Sequence, residues 1–371
     1  MAARYRLWFD NAPVEQSRVD RFGEIRVDQA IGMAAEASLQ LPVGTDEGGL
    51  WSGQEEDFAQ PLRRVRIEVQ VGEGDFVPLI DGPIVASRFE LKATPDESLM
   101  TLVVHDDSAL LNREEKVAVH VDKAAHEIAE ALFAEYGLTP EVTAGAAGGS
   151  ALTRFVVQRG SAMQLLRQLA GQTGMFAYVR PGPTPGASTG VFAPPSLAPG
   201  DLPDLLLLGA ERNVASFAVE FDALRPARAR AASVAIADRS ALTAAADAPD
   251  LAPLGDAALH DVLGDTGTTL LSRGREEQGD IDDATRAAVN LSSWAISAHG
   301  EIDADRYSRV LTPYQVIGVA GVGGYLSGRY LISRVTHQLT DASYKQTFAL
   351  VRNARSAGAG GGAPGLPGGL V

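Results

Sequence analysis

The sequence contains no cysteine. That excludes disulfide staples, thiolate zinc sites, iron–sulfur clusters and cysteine nucleophiles. No apolar run approaches the roughly 18 residues that a membrane-spanning helix needs. The start, Met1-Ala2-Ala3-Arg4-Tyr5-Arg6, has no hydrophobic leader core. Synthesis in the cytoplasm is expected, with export, if any, by a route that needs no signal peptide. Basic residues are few: 32 Lys and Arg against 47 Asp and Glu leave a net charge of −15, which excludes a wide nucleic-acid footprint. Aromatic residues are 6% of the chain, and the three tryptophans, Trp8, Trp51 and Trp294, lie far apart, so a stacking platform for sugars is not expected.

What is present fits a folded, β-rich protein. With 371 residues the chain is long enough for about two to three domains. Hydrophobic residues at 45% and charged residues at 21% exclude wholesale disorder. The 39 glycines and 20 prolines imply many turns.

Residues 1–111 read as short strands separated by turns. Val65-Arg66-Ile67-Glu68-Val69-Gln70-Val71 is the cleanest period-two run, and Ala37–Leu41, Phe76–Ile80, Gly82–Val85, Ser87–Leu91 and Leu99–Val104 follow the same logic. Residues 112–206 read as α+β. Val121, Ala125, Ile128, Leu132 and Tyr136 share one helical face, with Asp122 as the expected N-cap and Gly137 as the stop. A second helix opens at Ser161 with Gln164 three residues on, a capping box, and stops at Gly174. Residues 207–235 with 299–355 read as a second β block, with strands at Val214–Phe221, Tyr314–Val319, Arg329–Val335 and Ser343–Val351 and a hairpin turn at Thr340-Asp341-Ala342. Between its parts, 236–298 reads as a loop-rich insertion followed by a helix from about Asp283 to Ala298. Residues 356–371, uncharged and mostly Gly, Ala and Pro, read as a flexible tail.

Residue patterns for catalysis are missing. His120 and His126 are six apart, not the four that places two ligands on one helix face, and His126-Glu127 lacks the second histidine of a zinc helix. Asp280, Asp282 and Asp283 precede a helix, where carboxylates favour the dipole. They keep open one alternative, a cell-wall hydrolase using paired carboxylates. A carbohydrate-binding module is the other. The stretch Gly318–Gly328 places Leu326 where a dinucleotide fingerprint needs glycine and lacks the Lys-Ser/Thr ending of a phosphate loop. It reads as a turn between strands.

Three stretches together carry a resemblance. They are Asp107–Arg113 with Val121–Leu138, Phe155–Val179, and Val316–His337 with Tyr344–Arg352. In the second, a strand leads through Gln158-x-x-Ser161 into a Leu-rich helix, a glycine and an aromatic strand. These stretches resemble the phage late control protein D family, baseplate hub proteins of contractile tails related to the hub portion of VgrG spike proteins in type VI secretion. The resemblance covers about residues 5–355. It implies an α+β, β-rich fold with two small tail-tube-like β-barrels and intervening α+β segments, assembled as a trimeric ring. Six barrels in three chains would match a sixfold tube.

The implied partners are two further copies, the inner tail-tube protein, a separate spike protein (only a short neutral tail follows Arg355), other baseplate components, and the tape-measure protein or cargo. Sequence-specific nucleic-acid binding, cofactors, metals and catalytic residues are not expected. The implied location is a phage tail or injection-system particle built in a bacterial cytoplasm. An acidic chain suits a lumen that passes DNA or cargo. The candidate interface or structural residues on the matched motifs are Gln158, Ser161, Gln164, Arg329, Tyr330 and His337.

Overall fold

The computed structural model describes residues 3–45, 48–49, 51, 56–94, 97–145, 155–235, 238–271, 277–303, 306–340 and 343–357. Its first β block comprises β1 (Ala3–Phe9), β2 (Ala12–Pro13), α1 (Gln16–Val19), β3 (Glu24–Ala30), β4 (Glu36–Val43), β5 (Arg64–Val71), β6 (Val77–Glu90) and β7 (Ser98–His105). The middle segment holds α2 (Ser108–Asn112), β8 (Glu115–Val121), α3 (Ala125–Glu135), β9 (Thr139–Val142), β10 (Phe155–Ser161), α4 (Ala162–Thr173), β11 (Phe176–Pro181) and β12 (Ser188–Ala193). Then come β13 (Leu205–Leu206), β14 (Val214–Phe221), β15 (Ala227–Val234), β16 (Ala241–Ala246), β17 (Ala257–Ala258), α5 (Leu259–Leu263), β18 (Gly267–Leu271) and α6 (Gln278–Ser292). The chain ends in β19 (Ile296–Ile302), β20 (Val316–Ala320), β21 (Gly328–Thr340), β22 (Tyr344–Arg352) and β23 (Ala354–Arg355).

Both β blocks belong to one 13-stranded sheet, in the order β14-β19-β22-β21-β3-β4-β7-β6-β5-β1-β2, with β20 and β13 attached beside β21. The blocks meet where β21 pairs antiparallel with β3, Arg334 opposite Ala30 through Thr340 opposite Glu24. Among the described residues the pairing is an open path and closes no barrel in either block. Each block still has its own core. Leu7, Val27, Leu39, Ile67, Ile80 and Leu102 centre the first, and Ala298, Leu311, Tyr330, Ile332, Val335 and Leu350 the second. A third core, between α3, α4 and β11–β12, is built on Ile128, Phe133, Leu166 and Phe192.

Several expectations need correction. Phe76–Leu91 is not three strands but one, β6, with register shifts opposite Ile67/Glu68 and at Ile84/Ala86. Gly82 is tolerated mid-strand because its backbone passes so close to His105 that an added Cβ would stand 2.0 Å from that residue's carbonyl oxygen. Val121 ends strand β8 instead of opening a helix. Asp122 takes a left-handed φ of 55° there, and the helix starts at Ala125, with the Ala124 N–H donating to the Glu127 carboxylate at 2.7 Å.

Residues 227–234, assigned to the second barrel, instead form the centre of a separate sheet, β16-β15-β18. The supposed loop-rich stretch supplies its partners. These strands are rich in Ala and Thr, so they bury little and show no alternation. The third helix ends at Ser292, and Ile296 onward is strand β19 pairing with β14 and β22. Tyr314 lies outside a strand, which begins at Val316. Asp341 and Ala342 of the expected turn, and 358–371 of the tail, lie outside the described residues.

Candidate functional site

The polar face of β5 is not solvated, as its alternation predicts, but covered. Val65, Ile67, Val69 and Val71 fill the first core, while Arg66 and Glu68, on the opposite face, are 2% and 4% exposed. The cover is the β11–β12 hairpin, and charge holds it down. Arg66 Nε donates to Glu68 Oε1 at 2.7 Å. Its Nη1 donates to Asp81 Oδ2 at 3.1 Å, to the Gly182 carbonyl at 2.9 Å and to the Thr184 carbonyl at 3.3 Å. Arg64 donates to Asp81 Oδ1 at 2.7 Å and, through both terminal nitrogens, to the Asp107 carboxylate. The Gly186 N–H donates to Asp81 Oδ2 at 2.9 Å, and Arg6 pairs with Glu68. Three guanidinium groups thus alternate with three carboxylates, and the hairpin tip supplies further hydrogen-bond groups. Buried charge survives only with such pairing. The sequence clue to this latch is Asp81, a lone carboxylate inside the apolar run Leu79–Ile84.

A second joint is the β3–β21 seam. Arg334 Nε donates to Asp28 Oδ1 at 2.8 Å, with a second bond from Nη2 to Oδ2. His337, fully buried, sits between Tyr344 Oη at 2.8 Å from Nδ1 and Gln29 Oε1 at 3.3 Å from Nε2. Gln29 Oε1 can only accept, so Nε2 carries the proton and Nδ1 accepts from the tyrosine hydroxyl. Burial pushes the His337 pKa down to about 3, against the weaker pull of Asp28.

Beside the seam lies a cavity of about 350 Å³, lined by Met33, Asp106, Tyr178, Arg180 and Tyr314 among others. Tyr314 has a φ of 69°, stacks on Tyr178 with ring centres 3.6 Å apart, and accepts from the Gly32 N–H at 3.1 Å. Its strained backbone is therefore held by contacts to both other modules.

Asp106, on the cavity wall, accepts from the Ala35 N–H at 2.6 Å and the Ser108 N–H at 2.9 Å. Burial raises its pKa from 3.8 to about 6, although those hydrogen bonds oppose the shift. The folded state therefore holds this proton more tightly than the unfolded chain. Asp106 adds stability as pH falls from about 6 to about 4, up to roughly 3 kcal/mol. Asp106→Asn should lower stability at acid pH and remove that gain. An unchanged dependence of urea midpoint on pH between 4 and 6.5 would sink the assignment.

The motif residues fall into two groups. Ser161 and Gln164 form the expected reciprocal cap: Gln164 N–H donates to Ser161 Oγ at 3.2 Å and Ser161 N–H to Gln164 Oε1 at 3.0 Å. Gly160 beside them has a φ of 129°, which favours glycine, and a Cβ there would also displace the Gln164 amide from the cap. Gln158 is buried and donates to the Gly160 carbonyl at 3.1 Å. These three lie together at the head of α4.

Arg329, Tyr330 and His337 lie along β21, well apart from that cap. Tyr330 is fully buried, donates to the Leu326 carbonyl at 2.6 Å and lies under the Arg352 guanidinium at 5.2 Å. Only Arg329 of the three is exposed, so Tyr330 and His337 offer no surface to a partner. Arg352, which the sequence reading missed, is itself buried and ties down the glycine turn by donating to the carbonyls of Tyr325, Leu326 and Ser327 at 3.1–3.3 Å.

Asp282 accepts from Gln278 at 2.9 Å and Asp283 pairs with Arg286, so both are engaged within α6. Among the described residues no group of three or more His, Asp or Glu could hold a metal ion, and no helix is long and apolar enough to cross a membrane. What the arrangement offers instead is rigid joints and open strand edges. Among the described residues, strand β14, at one end of the large sheet, is paired only with β19, and it has neither Pro nor Lys along it.

Comparison with known proteins gives a family match and, separately, structural relatives. Residues 14–341 match the model of a family described as the Alg8 N-terminal domain. No curated protein matches the sequence. Among solved structures, the 43 kDa tail protein of prophage MuSo2 from Shewanella oneidensis has a TM-score of 0.64 at 13% identity, covering 95% of this chain and 99% of that one. A tail protein from Neisseria meningitidis has a TM-score of 0.64 at 10% identity, covering 95% and 97%. An Escherichia coli component of the type VI secretion system, described as structurally similar to bacteriophage T4 tail proteins, has a TM-score of 0.54 at 11% identity, covering 95% and 77%. The fold is that of phage tail proteins.

Proposed function

We propose that the chain, which belongs to the Alg8 N-terminal domain family, is a structural, non-enzymatic hub of a contractile phage tail or a phage-tail-like injection system. Three copies form a ring whose six β blocks seat the sixfold inner tube, with a threefold spike on the other face and a lumen that passes DNA or cargo. The single observation that supports this most is the β3–β21 pairing. It fuses two β blocks, each with its own core, into one sheet, so one chain can offer two tube-like surfaces in a fixed relation. The fold shared with tail proteins across 95% of the chain points the same way. The bare edge of β14 gives the next copy a place to continue the sheet.

Native mass tests the reading. The expected trimer is three times 39.0 kDa, about 117 kDa. Ala218→Lys, which sets a charge on the exposed edge of β14, should lower the trimer fraction without unfolding the chain. A strict monomer, both alone and with the tail's spike protein, would remove the ring on which the mechanism depends.

A further inference from the structure

Among the described residues four carboxylates are buried: Glu68, Asp81, Asp106 and Asp107. Three of them face guanidinium groups. Arg66 holds Glu68 and Asp81, and Arg64 holds Asp81 and Asp107. Asp106, 2% exposed, is the exception, with no ion pair among the described residues. The charge named as acting on it is that of Asp107, which repels it. A buried carboxylate without a cation is costly, and the other three show how this chain otherwise avoids that cost.

Asp106 also differs in where it sits. It lines the cavity of about 350 Å³ beside the β3–β21 seam, where all three modules meet. Its Oδ2 accepts from Ala35 N–H and its Oδ1 from Ser108 N–H, which leaves each oxygen a further acceptor site. The other charges on the lining, Arg180 and Glu141, pair with each other at half-exposed positions, so neither is free to serve Asp106. Pro78, Leu79 and Val179 give the lining an apolar part. Tyr178 adds a hydroxyl with no hydrogen-bond partner among the described residues. Met33, also on the lining, is 61% exposed.

This donor set selects among cations. A divalent metal wants several oxygen ligands, and among the described residues no metal-binding cluster of His, Asp or Glu exists. A guanidinium fork is best served by two open carboxylate oxygens, and here each already takes a backbone N–H. An ammonium is a compact point charge that needs only one of the remaining sites, and an alkyl stem behind it suits apolar walls.

We propose that this cavity binds an alkylammonium group, with Asp106 as its counter-ion and the apolar wall around its stem. A free amine and the lysine side chain of a partner protein present the same chemistry. The site does not depend on the hub reading.

The probe is n-butylammonium chloride, titrated calorimetrically into the full chain at about pH 7.5, where Asp106 is ionised. Saturable binding at one site is expected, with a Kd of about millimolar for so small a ligand. n-Butanol, the same stem without the charge, should bind at least about ten-fold more weakly, and Asp106→Asn should weaken n-butylammonium by about as much. Met33→Trp places a bulky ring at an exposed position of the cavity and should also weaken binding about ten-fold while leaving the carboxylate intact. That variant carries the test if Asp106→Asn fails to fold. Nα-acetyl-lysine methylamide separates the two sources: binding as tight as that of n-butylammonium supports a partner's lysine, and much weaker binding supports a free amine. Equal affinity for n-butanol would overturn the proposal, as would unchanged affinity in folded Asp106→Asn or in Met33→Trp, or no saturation by n-butylammonium up to about 100 mM.

Discussion

Arg66→Met should cost about 3–5 kcal/mol of folding stability, because it leaves buried carboxylates without their compensating charge. Glu68 and Asp81 are 4% and 1% exposed, so water cannot replace the guanidinium. The same change removes donors to the Gly182 and Thr184 carbonyls. The β11–β12 hairpin should therefore detach before the rest of the protein unfolds, and its amides should exchange faster than those of α6. Urea unfolding followed by far-UV circular dichroism, at fixed protein concentration, measures the first effect, and peptide-resolved hydrogen exchange the second. Arg66→Lys should fall between, since an ammonium point charge cannot span Glu68, Asp81 and the hairpin together. A loss below about 1 kcal/mol in the methionine variant would mean that packing, not charge, seats the hairpin.

Acid should weaken the β3–β21 seam through His337. Its pKa is about 3 in the folded chain against 6.5 for the free side chain. The unfolded chain therefore binds the proton first, and stability is lost as pH falls through 6.5 toward 3. The loss is about 3 kcal/mol by pH 4.5 and approaches about 5 kcal/mol well below pH 3. His337→Gln has no proton to gain and should flatten this part of the profile, while losing some stability at pH 7 from the imperfect bond to Tyr344. Asp106 works in the opposite sense over an overlapping range, so the two variants should tilt the pH profile in opposite directions. Parallel profiles for wild type and His337→Gln would show that the imidazole reaches water or the tyrosine hydroxyl turns to accept its proton.

The parts that could be read from sequence are those whose causes are local. Val65–Val71 alternates because one side faces the core, and that survives whatever covers the other side. The α4 helix announces itself through Ser161, Gln164 and Gly174, all within one segment. What could not be read depends on distant partners. Nothing near Arg66 and Glu68 says that a hairpin more than a hundred residues later will cover them. The β15–β16–β18 sheet escaped because small side chains carry no periodic imprint. The motif positions of Tyr330 and His337 were legible and a core role was open to both, but the pairing of β21 with β3 that sets His337 beside Gln29 was not. Strand β8 was missed because Val121 also fits the spacing of the following helix, so Glu115–Val121 was not read as a strand.

The β3–β21 seam also sets an order of events at the ribosome. Asp28 and Arg334, which clamp it, are 306 residues apart in sequence. At about 5–20 residues per second, roughly 15–60 seconds separate the emergence of β3 from that of its partner. During that interval the first β block holds most of its strands but shows an unpaired β3 edge. Pairing so remote in sequence is slow to form, and a bare edge invites strands of neighbouring nascent chains. Yield of soluble protein should thus depend on how long β3 waits: slower translation downstream of the first block, or a truncation before β21, would favour aggregation over folding.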